Sequence, residues 1–162
     1  MTDPVYGPAH EFNRLIITTL RADGPLQRLL FPFWNPVAVT DDDTRIYNAH
    51  VAIDDPKLLQ ILPRVIVECQ QDVHDVEQPE FYRIASVAVW FHSIVPKDQY
   101  DLAEAIDVRI RTIMASTYLT SSRIITSPMY EVAPRKRITE TAFYDAWRIT
   151  SSFQAEHIGV LA

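Results

Sequence analysis

Glycine is scarce in this chain, and its scarcity excludes several well-defined active-site motifs. The 162 residues include three glycines, Gly7, Gly24 and Gly159, and no two of them lie close together. The dinucleotide fingerprint G-x-G-x-x-G, the P-loop and the G-x-S-x-G nucleophile elbow each need at least two glycines within a few residues. The sequence therefore contains none of these three sites.

Cysteine and long apolar runs are also lacking. The single cysteine, Cys69, excludes an internal disulfide and a zinc site built from several cysteines. No apolar run approaches the about 18 residues that a membrane-spanning helix needs. The first residues show no basic stretch followed by an apolar one, which a secretory signal would have. We therefore expect a protein that is made in the cytosol and has no membrane partner.

Positive charge is in deficit, since the formal net charge is −6. An acidic chain has little capacity to displace counterions from a phosphate backbone, which argues against a dedicated nucleic-acid binder. Apolar residues make up 48% of the chain and charged residues 22%, which is typical of a globular protein. We expect residues 1–162 to form a single domain, with about nine N-terminal residues as an extended arm.

Hydrophobic periodicity predicts two long helices and several strands. The expected helices cover about 10–21 and 97–116, and the expected strands cover 47–53, 64–69, 81–92, 123–132 and 143–154. Pro128 interrupts one strand, which favours an edge position. Pro134 and the basic residues after it predict a turn over 134–141. This order predicts an α+β fold: a mainly antiparallel sheet of four to five strands with two longer helices packed on one face.

Residues that could support catalysis or bind a metal form no complete motif. Cys69 and His74 are a weak nucleophile–base pair, and a buried structural thiol is the preferred interpretation. His74 lies among Asp72, Asp75 and Glu77, but the segment lacks the glycine and the terminal glutamate of an EF-hand. A solvated acidic loop is therefore favoured. We expect no catalytic residues, no metal and no cofactor.

Charged clusters and aromatic residues instead suggest contacts with other proteins. The basic run, Arg135-Lys136-Arg137, could be a solvated hairpin loop, or it could contact an acidic partner or a passing phosphate backbone. The apolar loop at 31–36 packs either on its own core or on a neighbour. Aromatic residues on both faces of the sheet would require one face to meet another subunit. The candidate interface residues are Asp41, Asp42, Asp43, Asp72, Asp75, Glu77, Arg135, Lys136, Arg137, Phe31, Phe33 and Trp34.

The order of elements resembles that of a known family of virion proteins. A helix at 10–21 precedes Arg45-Ile46-Tyr47, and Leu62-Pro63 leads into the apolar strand Arg64-Val65-Ile66-Val67. The strand Val87-Ala88-Val89-Trp90-Phe91-His92-Ser93 then comes before a helix rich in alanine and isoleucine at 102–114 and two closing strands. Over residues 10–157 this pattern resembles the tail terminator, or tail-completion, proteins of long-tailed bacteriophages.

The resemblance implies a structural role in the virion. Proteins of this family form a hexameric ring at the head-proximal end of the tail tube, where they stop tube polymerisation and offer a docking face to the head connector. The implied partners are further copies of the chain, the tail tube protein, a head-closure protein and the genomic DNA in the ring lumen. Two alternatives remain: another neck component of the virion, or a small cytosolic enzyme or ligand-binding domain. A cleft in which His50, His74 or His92 meets carboxylates would favour the enzyme.

Overall fold

The structure, a computed structural model, describes residues 8–31, 45–48, 62–71, 76–77, 82–120, 124–126, 129–140 and 146–160. Within these residues the chain forms three helices and seven strands. In chain order they are α1 (Pro8–Arg21), α2 (Gly24–Leu30), β1 (Ile46–Asn48), β2 (Arg64–Gln71), β3 (Val76–Glu77), β4 (Tyr82–Pro96), α3 (Tyr100–Ser116), β5 (Ile124–Thr126), β6 (Tyr130–Glu140) and β7 (Ala146–Val160).

All seven strands belong to one sheet, which is five strands wide. Its order is β1-β2-β4-β7-β5. Strands β2 and β3 both pair with β4, and strands β5 and β6 both pair with β7. Strand β1 runs parallel to β2, whereas every other described pair is antiparallel. The predicted α+β class is confirmed, and the sheet is mixed because of β1.

The two-residue periodicity of the strands divides the sheet into two chemically different faces. On one face, alternating residues of β2, β4 and β7 join apolar residues of all three helices in one buried cluster. Phe91 and Phe153 meet there edge to face, with ring centroids 5.5 Å apart. The buried strand residues of this cluster are Val65, Val67, Val89, Phe91, Val95, Ile149, Phe153 and Ala155. The opposite face carries the residues that alternate with these on β2, β4 and β7.

Helix α2 begins at a well-formed cap. The Asp23 side chain accepts a hydrogen bond of 2.8 Å from the Leu26 amide, and proline lies in the first turn. A capping carboxylate and a proline at this position both favour a helix start. Leu26 and Leu30 then fall on one side of the helix and enter the core. The helix spans seven residues, which is about two turns.

Arg45 holds the start of β1 against two other segments. Its backbone has a φ of 55°, in the left-handed region that non-glycine residues seldom adopt. Its guanidinium donates hydrogen bonds to the carbonyl oxygens of Leu30 at 2.9 Å and Leu62 at 3.1 Å. The same group lies over the Phe31 ring, 5.0 Å from the centroid. These contacts offset the strain of the backbone and fix the entry to the first strand.

The basic run lies on a strand and not in the predicted turn. Residues 135–137 belong to β6, where Lys136 pairs with Thr150 and Arg137 with Ile149. The register shifts between Ala133 and Lys136, so the ladder is interrupted beside Pro134. A bulge accommodates the missing amide hydrogen of proline, which is why the strand continues past it. The prediction of a turn over 134–141 is wrong.

Two further boundaries differ from the sequence prediction. Glu77 lies on the short strand β3, paired with Arg83 of β4, and not in a structureless acidic loop. The length of β4 explains this difference, because its first residues extend beyond the end of β2 and offer a free ladder to pair with. Helix α3 begins at Tyr100, after a turn in which the Gln99 amide bonds to the Pro96 carbonyl at 2.9 Å.

Helix α3 provides a matched pair of substitutions that tests the core. Ile110 is fully buried in the cluster, whereas Val108, two residues earlier, is 54% exposed. We expect Ile110→Ala to lower the free energy of unfolding by about 2–5 kcal/mol, because it leaves a cavity. Val108→Ala should change it by less than about 0.5 kcal/mol. Urea unfolding measures both values, and equal effects would contradict this placement of the helix.

Candidate assembly interface

The face of the sheet opposite the buried cluster presents the clearest candidate surface. We call it the open sheet face and define it by six half-buried residues on three adjacent strands. They are Glu68 of β2, Trp90 and His92 of β4, and Thr150, Ser152 and Gln154 of β7. Register places Trp90 between Glu68 and Ser152, and His92 beside Thr150. Since paired residues share a face, these side chains form one continuous surface.

A chain of hydrogen bonds crosses the three strands on this face. His92 Nε2 lies 3.3 Å from Glu68 Oε2, and His92 Nδ1 lies 3.0 Å from Thr150 Oγ1. In a neutral imidazole the Nε2–H would donate to the carboxylate, and Nδ1 would accept from the threonine hydroxyl. The polar groups at the centre of the face therefore have partners within the chain. Covering them with another protein would not leave them without hydrogen bonds.

The six residues of the open sheet face include one carboxylate, Glu68, and one histidine, His92, beside a tryptophan, two hydroxyl residues and an amide. Arg148 lies on the same face, opposite Ile94. Interface centres are enriched in aromatic residues and poor in charge, because burying an unpaired charge is costly. Toward one end the face becomes apolar and buried, where Tyr47, Ile66, Ile94 and Ala146 form a second cluster. This composition suits contact with protein better than catalysis.

A buried carboxylate fixes α3 to the other side of the sheet. Asp107 is 1% exposed and accepts a hydrogen bond from the Ser151 hydroxyl of β7. Its other oxygen lies 3.2 Å from Arg111 Nε, and Arg111 Nη2 lies 2.6 Å from Glu131 Oε1 of β6. Asp107 and Arg111 are four residues apart on α3, the spacing at which opposite charges pair on a helix. This network connects the helix to two strands of the sheet.

A second ion pair joins α3 to the start of α2. Arg109 donates from Nε to Asp23 Oδ1 at 3.0 Å and from Nη2 to Asp23 Oδ2 at 2.6 Å. The hydrogen bond from Arg109 lowers the pKa of the Asp23 carboxyl, and the Leu26 amide acts in the same direction. The same contact raises the pKa of Arg109. Two fork-like bonds to one carboxylate define the orientation of both side chains.

The candidate interface residues chosen from sequence are dispersed. Phe31 is half-buried against Arg45, Glu77 lies on β3, and the basic run 135–137 lies on β6 at the outer edge of the described sheet. The remaining candidates fall outside the described residues: Asp41, Asp42, Asp43, Asp72, Asp75, Phe33 and Trp34. The described residues bring no two of these candidate groups together.

Sequence reasoning missed the central contacts of both faces. It named His92 as a histidine that could meet carboxylates, but did not identify its partners Glu68 and Thr150, which lie 24 and 58 residues away. It also missed the burial of Asp107. A signal for that burial was present, because Asp107 falls in helical register with Ala103 and Ile110. A carboxylate on an apolar stripe requires a buried partner.

The catalytic alternative is met in one respect, because His92 lies beside the Glu68 carboxylate on the open sheet face. The groove that described residues line beside α3 contains neither of them. Cys69 packs against the helix-side cluster, and burial raises the pKa of its thiol to about 12. The thiolate is the nucleophilic form, so a thiol of this kind is inert at neutral pH. His74 and His50 lie outside the described residues. Among the residues that are described, no group of three metal-ligating side chains comes together, and no helix is long and apolar enough to span a membrane.

Comparison with known proteins identifies a similar fold. No protein-family model matches the sequence, and no curated protein matches it. The structure is similar to a chain in the solved virion of a native gene transfer agent particle, with a TM-score of 0.70 and 19% sequence identity. The match covers 96% of this chain and 100% of that chain. At this level of identity the similarity establishes a shared fold.

The Asp23–Arg109 pair predicts a specific response to acid. Because the folded-state pKa of Asp23 lies below its ordinary value of 3.8, the pair stabilises the fold fully above that value. The stabilisation is lost as the pH falls through the lowered pKa. Asp23→Asn retains a capping oxygen but loses the charge, so its stability should fall less than that of the parent between pH 5 and strongly acidic solution.

Urea unfolding across this pH range measures the difference between the two proteins. Asp98→Asn is the control, because Asp98 is an exposed carboxylate in the turn before α3. The control should retain the acid response of the parent. An Asp23→Asn protein that loses as much stability as the parent in this window would contradict the assigned role of the ion pair.

The raised pKa of Cys69 predicts a thiol that reacts only after unfolding. At pH 8 a group with a pKa of about 12 is ionised in about one molecule in ten thousand. We expect a thiol reagent to leave the native protein unmodified for hours and to label it at once in concentrated guanidinium chloride. Rapid labelling of the native protein would indicate an accessible thiolate and would reopen the enzyme alternative.

Proposed function

We propose that this protein is a structural component of a virion, and more specifically a tail terminator. In this proposal several copies, six if the family pattern holds, form a ring at the head-proximal end of a tail tube. The ring stops growth of the tube and offers a docking surface to a head-closure protein, and genomic DNA passes through its lumen without sequence-specific contacts. The protein acts by assembly and not by catalysis.

The observation that carries the proposal is the similarity of fold to a chain of an assembled particle. The match extends over nearly the whole of both chains, so it concerns the entire domain and not a common substructure. That chain belongs to the virion of a gene transfer agent. The order of elements in the sequence independently resembles the tail terminator family, and this supports the narrower assignment.

The chemistry of the two faces of the sheet is consistent with assembly. Helices pack on one face, while the central part of the other is half-buried and carries Trp90 beside Glu68 and His92. A surface of this kind is stabilised when another protein covers it. A ring needs a heterologous contact in which two different surfaces of one copy meet those of its neighbours. The open sheet face is our candidate for one of these surfaces.

The charged segments remain candidates for contacts within and between rings. The basic residues Arg135, Lys136 and Arg137 lie on β6, at the outer edge of the described sheet. We propose that they meet acidic groups such as those at 41–43 or at 72, 75 and 77. The aromatic residues Phe31, Phe33 and Trp34 remain candidates for packing on a neighbour.

Native mass spectrometry of the purified chain, with and without its tail tube protein, tests the proposal. Over a concentration series we expect either a closed ring or a fixed number of copies bound to the ends of tubes. Tubes assembled in the presence of the chain should also be shorter, because a capped end cannot grow. The binding should not respond to added DNA.

The control for this experiment is a tube protein from an unrelated virion, which the chain should ignore. A chain that stays monomeric at every concentration, and that neither binds nor shortens its own tubes, would overturn the proposed function. Binding to a head connector protein in place of the tube would identify another neck component.

A further inference from the structure

The hydrogen-bond chain of Glu68, His92 and Thr150 has a fixed direction while the imidazole is neutral. An ionised carboxylate can only accept, so the ring proton lies on His92 Nε2, which is 3.3 Å from Glu68 Oε2. The unprotonated Nδ1 then accepts from the Thr150 hydroxyl at 3.0 Å. The other neutral tautomer would turn the lone pairs of Nε2 and the carboxylate toward each other. The hydroxyl proton of Thr150 therefore points at the ring, and its lone pairs point away from it.

Protonation of the imidazole reverses the last bond of this chain. In the imidazolium both ring nitrogens carry a proton, so His92 Nδ1 must donate and the Thr150 oxygen must accept. The hydroxyl proton then leaves the line between the two atoms and turns to another direction. Within the described part of the chain, the Thr150 side chain makes no hydrogen bond other than the one to His92. The released proton is thus offered to solvent or to a group that covers the face.

The strands beside β4 place charges of both signs around the imidazole. Glu68 favours the protonated ring, because it lies at hydrogen-bond distance and only 18% of the His92 side chain is exposed. Arg148 opposes protonation, because it lies on the same face of β7, two residues before Thr150. The ionisable residues that share this face with His92 are Glu68 and Arg64 on β2, Arg148 on β7, Lys136 and Glu140 on β6, and Tyr47 on β1, two strands away.

Histidine is the one member of this set that ordinarily changes its charge near neutral pH. Its unperturbed side chain titrates at about 6.5, whereas carboxylates and guanidinium groups ordinarily keep their charges between pH 5 and 8. Strand β4 adds no second ionisable residue between Ala88 and Pro96. The reversal of the bond between His92 and Thr150 therefore follows the proton on one ring.

We propose that His92 is a proton-controlled switch on the open sheet face, which turns the Thr150 hydroxyl outward as a donor when the imidazole takes up a proton. At pH 8 this position offers a lone pair and suits a hydrogen-bond donor. At pH 5 it offers an O–H beside a cationic ring and suits an acceptor, such as a carbonyl or carboxylate oxygen. Rotation about one side-chain bond is sufficient, so the backbone need not move. The switch belongs to the single chain and does not depend on the proposed function.

Nuclear magnetic resonance of the full chain, labelled with ¹³C at threonine methyl groups and with ¹⁵N at histidine, tests the switch between pH 5 and 8. At pH 8 the ¹⁵N signals of His92 should show the tautomer with its proton on Nε2. As the pH falls, the Thr150 methyl signal should move with the same midpoint as the His92 ring. Thr112 is the internal control, because its hydroxyl donates to the Val108 carbonyl at 2.9 Å and has no bond to an ionisable group. Its methyl signal should not follow that midpoint.

Three substitutions separate this coupling from a general effect of pH. In His92→Gln no group at this position titrates, so the Thr150 methyl signal should lose its response. Glu68→Gln removes a negative charge and should lower the common midpoint. Arg148→Gln removes a positive charge and should raise it. We expect each of the last two to change the proton affinity of the ring at least about threefold. Circular dichroism verifies that each variant is folded, and the titration of the parent protein requires no variant.

The outcomes are decisive in both directions. A neutral ring with its proton on Nδ1, a Thr150 methyl signal that ignores the His92 midpoint, or a response that persists in His92→Gln would overturn the switch. Midpoints that shift in the same direction in Glu68→Gln and Arg148→Gln would also contradict it. A shared midpoint with opposite shifts supports it. Because none of these measurements involves assembly, failure of the switch leaves the proposed function standing, and failure of the proposed function leaves the switch standing.

Discussion

The pairing of β4 with β7 is the constraint on which the rest of the fold depends. All fifteen residues of β4 pair with β7, from Tyr82 opposite Val160 to Pro96 opposite Ala146. This long antiparallel ladder leaves one free edge for β2 and β3 and another for β5 and β6. It also fixes the alternation of side chains over the whole width of the sheet, because a shift by one residue would exchange the two faces.

The two faces are then stabilised in different ways. The helical side is closed by apolar packing and by Asp107, whose partners come from β7 and from its own helix. The other side is bound together by Glu68, His92 and Thr150 across three strands, and it stays half-exposed. A sheet held this firmly from one side is a suitable platform for a second protein on the other. This asymmetry connects the fold to the proposed role in assembly.

The sequence carried more information about elements than about their contacts. Local periodicity predicted α1, α3, β2, β4 and the first part of β7, because each pattern depends on residues a few positions apart. Contacts between distant residues have no such signal: Arg109 and Asp23 are separated by 86 positions, and Ser151 and Asp107 by 44. The basic run was assigned to a turn because Pro134 is a local breaker, whereas pairing with β7 and a bulge outweigh that signal. The open sheet face likewise becomes visible only when the register is known.

Hydroxyl-radical footprinting of Trp90, in the free chain and in the assembled form, tests whether the open sheet face is covered on assembly. Trp147 packs against the helix-side cluster and serves as the internal control. Oxidation of Trp90 should slow several-fold on assembly while oxidation of Trp147 does not change. Equal oxidation of Trp90 in the free and the assembled protein would contradict this expectation.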